Sequence, residues 1–352
     1  MNAFLVFVLF VSNLVLANVP TKSALVCGAG GFIGGHLVER LKKEGYWVRG
    51  VDIKYSEFSD SMADEFIIAD LRNPIRADVV VMLRKERSFD EVYQLAADMG
   101  GIGFITCHDA QIMHNSGLIN LNVLDAARRH KVGKIFFSSS ACIYPERNLM
   151  HPDTPDCREE TAYPVDPDTE YGWEKIFAER MYQAYARDYG MIVRIARFHN
   201  TFGPENAWCG GREKAPAALA RKIACLEGDG TVELWGDGRQ TRSFMYVDEC
   251  IEGIRRMMND SRRELPVLNI GSEKMISIND LALMIADIAG KKIAIKHVKG
   301  PQGARGRNSH NTLIEKTLGW APTQSLYEGV KEMYCWIEEQ VKKTNYKEQK
   351  IS

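Results

Sequence analysis

Ser23-Ala24-Leu25-Val26-Cys27, followed at once by Gly28-Ala29-Gly30-Gly31-Phe32-Ile33-Gly34, is the stretch that decides how this chain folds. The first five residues read as a short buried strand, and Gly35 to about Lys43 reads as an amphipathic helix. Glycines between a strand and a helix let the backbone approach a pyrophosphate and leave the helix N-terminus facing it. Gly28, Gly31, Phe32, Ile33 and Gly34 are therefore candidate dinucleotide contacts. A second strand, Trp47 to Val51, ends in Asp52, near the distance expected for the acid that binds a ribose 2'-hydroxyl. A carboxylate there repels a 2'-phosphate, so the sequence favours NAD over NADP. Asp70, in the Ile68-Ala69-Asp70-Leu71 end of a third strand, is expected beside the adenine.

Strands and helices keep alternating. Val92 to Ala96 reads as a fourth strand, about Ala110 to His130 as a long helix, and Lys134 to Ser139 as a fifth strand. A helix from about Thr169 to Tyr189 and a strand from Ile192 to Arg197 follow. Such alternation predicts an α/β fold, a Rossmann-type doubly wound parallel sheet with ligands at the carboxyl ends of its strands. From about Asn200 the loops lengthen and the helices shorten, which predicts a smaller C-terminal α/β region that binds substrate. The expected division is 1–20 as an apolar extension, 21–199 as the NAD-binding domain, 200–341 as mainly the substrate-binding region, and 342–352 as a frayed polar tail.

The chemistry is carried by Ser138-Ser139-Ser140-Ala141-Cys142-Ile143-Tyr144-Pro145, which sets a hydroxyl and a thiol two residues apart at a strand end. Tyr171 and Lys175 follow, spaced to share one helical face, so the ammonium is expected beside the phenol, favouring phenolate. Ser140 can hold a substrate oxygen in line for proton transfer to Tyr171. A simple dehydrogenase has no use for the extra thiol of Cys142.

Composition fits an enzyme of this kind. With 352 residues, 45% hydrophobic and 26% charged, the chain can bury a large core. Lys plus Arg 45 against Asp plus Glu 46 leaves a net charge of −1, which gives no electrostatic reason to expect nucleic acid or a membrane surface as partner. Eight scattered cysteines lack paired spacing, so no metal site or disulfide framework is indicated. Lys222, Arg242 and Arg307 are candidate clamps for a diphosphate.

Six stretches, Ala96 to Phe104, Ser139 to Glu146, Arg197 to Asn200, Gly210 to Ala218, Trp235 to Phe244 and Gly303 to Ser309, carry a resemblance. From about Ala24 to Gln340 the chain resembles the extended short-chain dehydrogenase/reductase family, within it the branch that epimerises GDP-mannose at C3 and C5. The resemblance implies tightly held NAD, an acid/base pair at Cys142 and Lys214, and a homodimer through the helices near 110–130 and 169–189. It also implies contacts to a GDP-sugar from Gly100, Ser140, Ala141, Cys142, Asn200, Glu213, Lys214, Ala215, Lys222, Gln240, Arg242 and Arg307. Gly34-Gly35 and Trp173 stand where such proteins have Ala-Ser and Leu, and Trp173 is expected to alter packing near the nicotinamide.

The implied reaction makes chemical sense of these residues. An unactivated sugar C–H is too weak an acid for any side chain, but oxidation of C4 to a ketone acidifies C3 and C5. Cys142 and Lys214 on opposite faces of the sugar can then remove one proton and return another before C4 is reduced again. A GDP-L-fucose synthase-like epimerase/reductase is disfavoured by Asp52 and the Arg212-Glu213-Lys214 loop. A nucleotide-sugar 4,6-dehydratase would want acidic groups where Ala141 and Cys142 stand. A non-catalytic NAD-binding module would be expected to have lost Tyr171, Lys175 or the thiol.

Met1 to Ala17 is almost wholly apolar and ends like a signal-peptide cleavage site, yet no Lys or Arg precedes it and it is short for a span. It is read as a targeting or anchoring extension or an upstream start, outside the fold of an enzyme expected in the cytoplasm. A chain beginning near Val19 should fold, retain NAD and be more soluble, having shed an apolar run. Loss of NAD binding on truncation, measured by equilibrium titration, would place the segment inside the domain.

Overall fold

The computed structural model describes residues 22–83, 87–301 and 303–346. The expected N-terminal extension and the end of the tail lie outside them. The main sheet has seven strands, all parallel. Six come from residues 23–198: β1 Ser23–Cys27, β2 Trp47–Asp52, β3 Glu65–Ile68, β4 Glu91–Gln94, β5 Lys134–Ser140 and β6 Val193–Phe198. The spatial order is β6-β5-β4-β1-β2-β3, so the chain winds outward in both directions from β1 and β4. The sheet extends past residue 199: Leu268–Ile270, from the later region, pairs in parallel with β6 and forms the seventh strand.

Helices cover both faces, and the strand residues sort accordingly by alternation. Ala24 and Val26 of β1 and Phe136 of β5 pack with Leu37, Leu41, Ile251 and Ile254 from the helices Phe32–Lys43 and Val247–Asn259. Leu25, Cys27, Ile135 and Phe137 face the other way, onto Val123, Leu124, Ala178 and Tyr182 from Asp109–Arg129 and Glu170–Tyr189. Burial on both faces explains why β1 reads as an unbroken apolar run from Ala24 to Cys27.

Later residues form two further small sheets. Thr241–Tyr246 is flanked by Asn200–Phe202, Met275–Ser277 and Gly306–Arg307, and Gly230–Trp235 pairs with Ile293–Val298. The C-terminal helix corrects the reading of a frayed tail from 342. It runs Leu326–Thr344, closes on Asn345 in the left-handed region, and is pinned by Val341 in the core and by Tyr346 against the Trp208 ring.

One buried ion pair links the elements that hold the candidate catalytic residues. Ser139 of β5 and Arg197 of β6 are register partners, and both bond the carboxylate of Glu179 on the helix Glu170–Tyr189. Arg197 meets Glu179 through two N–H donors at 3.0 and 2.9 Å with both side chains almost wholly buried. Removing one partner leaves an uncompensated buried charge, so Glu179→Gln should lower unfolding stability by about 3 kcal/mol. Denaturant titration with an unchanged midpoint would show the pair to be dispensable.

Candidate active site

The residues singled out from sequence converge at the carboxyl ends of the main strands. At the end of β5 the chain enters a single tight turn, Ala141–Ile143, capped by Ser140, whose hydroxyl accepts the Cys142 N–H at 3.1 Å. The same hydroxyl neighbours the Tyr171 phenol and favours its ionised form. Tyr171 lies in the first turn of its helix, behind a Thr169 cap that accepts the Gly172 N–H. Gly172 permits the approach: a Cβ there would fall 2.2 Å from the Cys142 carbonyl oxygen. Sequence reading passed over Gly172, because only the tertiary contact reveals why it has no side chain.

Lys175 is buried, donates to the Ser138 carbonyl at 3.0 Å, and stands 5.7 Å from the Tyr171 ring centroid. Burial pushes the Tyr171 phenol well above its ordinary value, and burial lowers the Lys175 ammonium. Burial thus opposes the phenolate expected beside Lys175. The lysine is at the ring, its ammonium donates to a backbone carbonyl, and desolvation is the largest influence on the phenol. Trp173 also departs from expectation. It lies on the outer surface of the helix, lining a shallow cleft with Thr106, Pro167 and Asp168.

Around Cys142 the structure gathers cations. Arg307 Nη1 donates to the Cys142 sulfur at 3.2 Å, while its Nη2 is 3.8 Å from Asp168. Burial opposes the Arg307 charge, but Cys142 and Asp168 outweigh it and leave the guanidinium raised. Arg242 neighbours Arg307 and is pushed down to about 10 by burial and that like charge. Lys214, at the cap of the helix Ala215–Ala224, is lowered by burial, with Cys142 the first neighbour supporting its charge. Asp168 had no sequence signal: one carboxylate in a Pro-Asp-Thr turn resembles any other.

The other candidates have contacts of their own. Asn200 donates to the Ser243 carbonyl at 3.1 Å, and Gln240 lies buried beside the Trp235 carbonyl. Lys222 donates to the Glu233 carbonyl at 2.8 Å. The Glu213 carboxylate turns back onto the Gly211 N–H and Arg221, while Ala215 is exposed and Ala141 buried. Gly100 packs so tightly on Phe104 that a Cβ would meet it at 2.8 Å.

The dinucleotide end fits its expected ligand. No side chain caps the helix Phe32–Lys43 and no acid occupies its first turn, so its amino end is left for an anion. A Cβ at Gly34 would sit 2.0 Å from the Gly28 carbonyl oxygen, so the alanine implied by resemblance would require the turn to shift. Asp52, at the end of β2, accepts the Gly30 N–H at 3.0 Å and the Ile53 N–H at 2.7 Å, and burial raises its pKa. Asp70 is half-buried and chelated by Arg72.

Comparison with known proteins agrees with this geometry. Residues 24–271 match the model of the NAD dependent epimerase/dehydratase family. The chain belongs to that family. Among curated relatives, it is 44% identical over 329 residues to the GDP-mannose 3,5-epimerase of Arabidopsis thaliana, covering 93% of this chain and 85% of the relative. It is 45% identical to the GDP-mannose 3,5-epimerase 1 of Oryza sativa subsp. indica, covering 90% and 82%. Among solved structures it resembles the UDP-glucose 4-epimerase of Thermotoga maritima with UDP-glucose, at TM-score 0.80 and 25% identity over 91% of this chain and 100% of that one. It also resembles the UDP-glucuronic acid 4-epimerase of Bacillus cereus in complex with UDP-glucuronic acid and NAD, at TM-score 0.75 and 25% identity with the same coverage. NAD is the cofactor of this family member.

Asp52 gives the site a testable preference. A charged hydrogen bond to ribose is worth about 2 kcal/mol, so Asp52→Ala should weaken NAD about tenfold or more and narrow the preference over NADP. Equal NAD affinity in the variant and the parent, by titration calorimetry, would remove Asp52 from the cofactor site.

Proposed function

We propose that the chain converts GDP-mannose to GDP-L-galactose, and to GDP-L-gulose by inversion at C5 alone. The observation that carries this reading is the thiol of Cys142, held against Arg307 beside the neighbouring Ser140 and Tyr171 hydroxyls, with Lys214 supplied from a separate loop. The substrate class is nucleotide sugar, in keeping with the relatives' names and the solved neighbours.

Ser140 orients the C4 hydroxyl, and Tyr171 takes its proton and later returns it. Bound NAD supplies acceptance and return of the C4 hydride, and a positive charge that offsets part of the burial penalty on the Tyr171 phenolate. Lys175 anchors the Tyr171 ring through the Ser138 carbonyl. Once C4 is a ketone, Cys142 and Lys214 remove and replace protons at its flanking carbons. Arg307, 3.2 Å from the sulfur, stabilises negative charge there. The diphosphate falls to Arg242, Arg307 and Lys222, and buried Arg307 Nε and Gln240 Oε1, without protein partners among the described residues, suit a polar ligand. Gly100, Asn200, Glu213 and Ala215 complete the expected contacts, Glu213 after turning from Arg221.

The division into a cofactor-binding body and a substrate-binding region, and dimer formation, belong to the same reading. The packed helices Asp109–Arg129 and Glu170–Tyr189 leave Met113, Leu121, Trp173 and Phe177 exposed, an apolar face suited to a second copy. No helix among the described residues is long and apolar enough to cross a membrane, and a cytoplasmic location is part of the proposal.

The test is GDP-mannose in heavy water with no added nicotinamide. Deuterium should appear at C3 and C5, whereas stoichiometric NADPH consumption would favour the reductase reading. Tyr171→Phe should abolish turnover. Cys142→Ser should still oxidise C4 while exchange at carbon falls by about 100-fold or more. Parent-like exchange in Cys142→Ser would remove the thiol from the mechanism.

A further inference from the structure

Lys214 and Cys142 reach the cluster from different parts of the molecule. Cys142 follows β5, whereas Lys214 ends a loop that enters the helix Ala215–Ala224. A proton-exchanging pair on two supports works only if something fixes their separation, since misplacement by about 1 Å costs about 100-fold.

The fixing contacts lie two residues before Lys214. The Arg212 guanidinium sits 3.9 Å from the Phe104 ring centroid, and its Nη1 donates to Asp98 Oδ1 at 3.3 Å and to the Met99 carbonyl at 3.2 Å. Between the two backbones, the Gly101 N–H donates to the Arg212 carbonyl at 3.0 Å. Asp98 is itself held from the helix Asp109–Arg129: its Oδ2 accepts from Gln111 and Asn115, each at 2.8 Å, and its N–H bonds the Ser116 hydroxyl. Phe104 shares an apolar cluster with Tyr171, against which Met99 and Cys142 pack. A continuous path of contacts therefore runs from Lys214's own loop to the phenol and thiol.

We propose that Arg212 and Asp98 are positioning residues, a latch that sets the Lys214 ammonium against Cys142 across the sugar. This rests on the proposed use of Lys214 in proton exchange. The Arg212–Asp98 ion pair is half exposed and contributes little to stability by itself. Its effect is on position. Oxidation at C4 depends on Ser140, Tyr171 and Lys175, all mounted on β5 and the helix Glu170–Tyr189, so the latch governs exchange at carbon and leaves oxidation alone.

The experiment compares the parent with Arg212→Gln, Asp98→Asn, the double variant and Arg212→Lys. Three quantities are read with GDP-mannose: deuterium uptake from solvent, C4 oxidation by the absorbance of reduced nicotinamide, and KM. Bound NAD and thermal melting are measured alongside. Each single variant should lose about 10- to 100-fold in uptake with C4 oxidation, KM, NAD content and melting unchanged. The double variant should be no worse than the weaker single one. Arg212→Lys should recover part of the loss, keeping charge without the planar fork. Should Arg212→Gln fail to fold, Asp98→Asn and Arg212→Lys give the same comparison. Parent-like uptake in the single variants, additive losses, or uptake and oxidation falling together would each overturn the latch. A parent that takes up no deuterium would overturn the proposed reaction and the latch with it.

Discussion

The Glu179 carboxylate, closed between Arg197 and Ser139, is the constraint on which the site depends. A buried ion pair adds little net stability, but it is costly to leave incomplete, so it selects one arrangement of whatever it joins. Here it joins β5, β6 and the helix Glu170–Tyr189. Tyr171, Lys175 and Glu179 are spaced four apart and share the helix face turned to the sheet. With Glu179 fixed, the helix can neither slide nor rotate. Tyr171 is thereby delivered to Ser140, and Gly172 is brought against the Cys142 carbonyl.

The two ends of the sheet handle charge in opposite ways. At the amino end, buried Arg255 is matched by Glu91 at 2.7 Å and Glu44 at 2.8 Å, with Tyr46 donating to Glu91. That network is satisfied internally and reads as structural. At the carboxyl end, Lys175, Lys214, Arg242 and Arg307 surround Cys142, while Asp168 lies 3.8 Å from Arg307. An excess of desolvated positive charge is unfavourable in the free protein and becomes favourable with a diphosphate sugar in place. In the proposed reaction the same field supports negative charge on sulfur and on an enolate beside the C4 ketone.

Much of the architecture follows from local rules. β1 runs into glycine and is apolar from Ala24 to Cys27 because a parallel strand is covered on both faces, and Asp52 closes β2 because ligand contacts gather at the carboxyl ends of the strands. The tail shows where such rules stop. Lys342 and Lys343 are polar, yet the helix runs on to Thr344 because Val341 and Tyr346 find apolar partners more than a hundred residues away in sequence. The seventh strand is similar: three residues, Leu268–Ile270, are too few to announce a strand, and they become one because β6 offers an open edge.

By itself the sequence determined the doubly wound sheet, the dinucleotide turn and the grouping of Ser140, Cys142, Tyr171 and Lys175, because periodicity, glycine punctuation and i,i+4 spacing act over a few residues. Only the tertiary structure decided the protonation balance and the neighbours: that burial is the largest influence on the Tyr171 phenol, that Trp173 faces outward, that Asp168 pairs with Arg307, and that Arg212 reaches Asp98 and Phe104. These depend on desolvation and on contacts between residues far apart in the chain, and no local pattern encodes either.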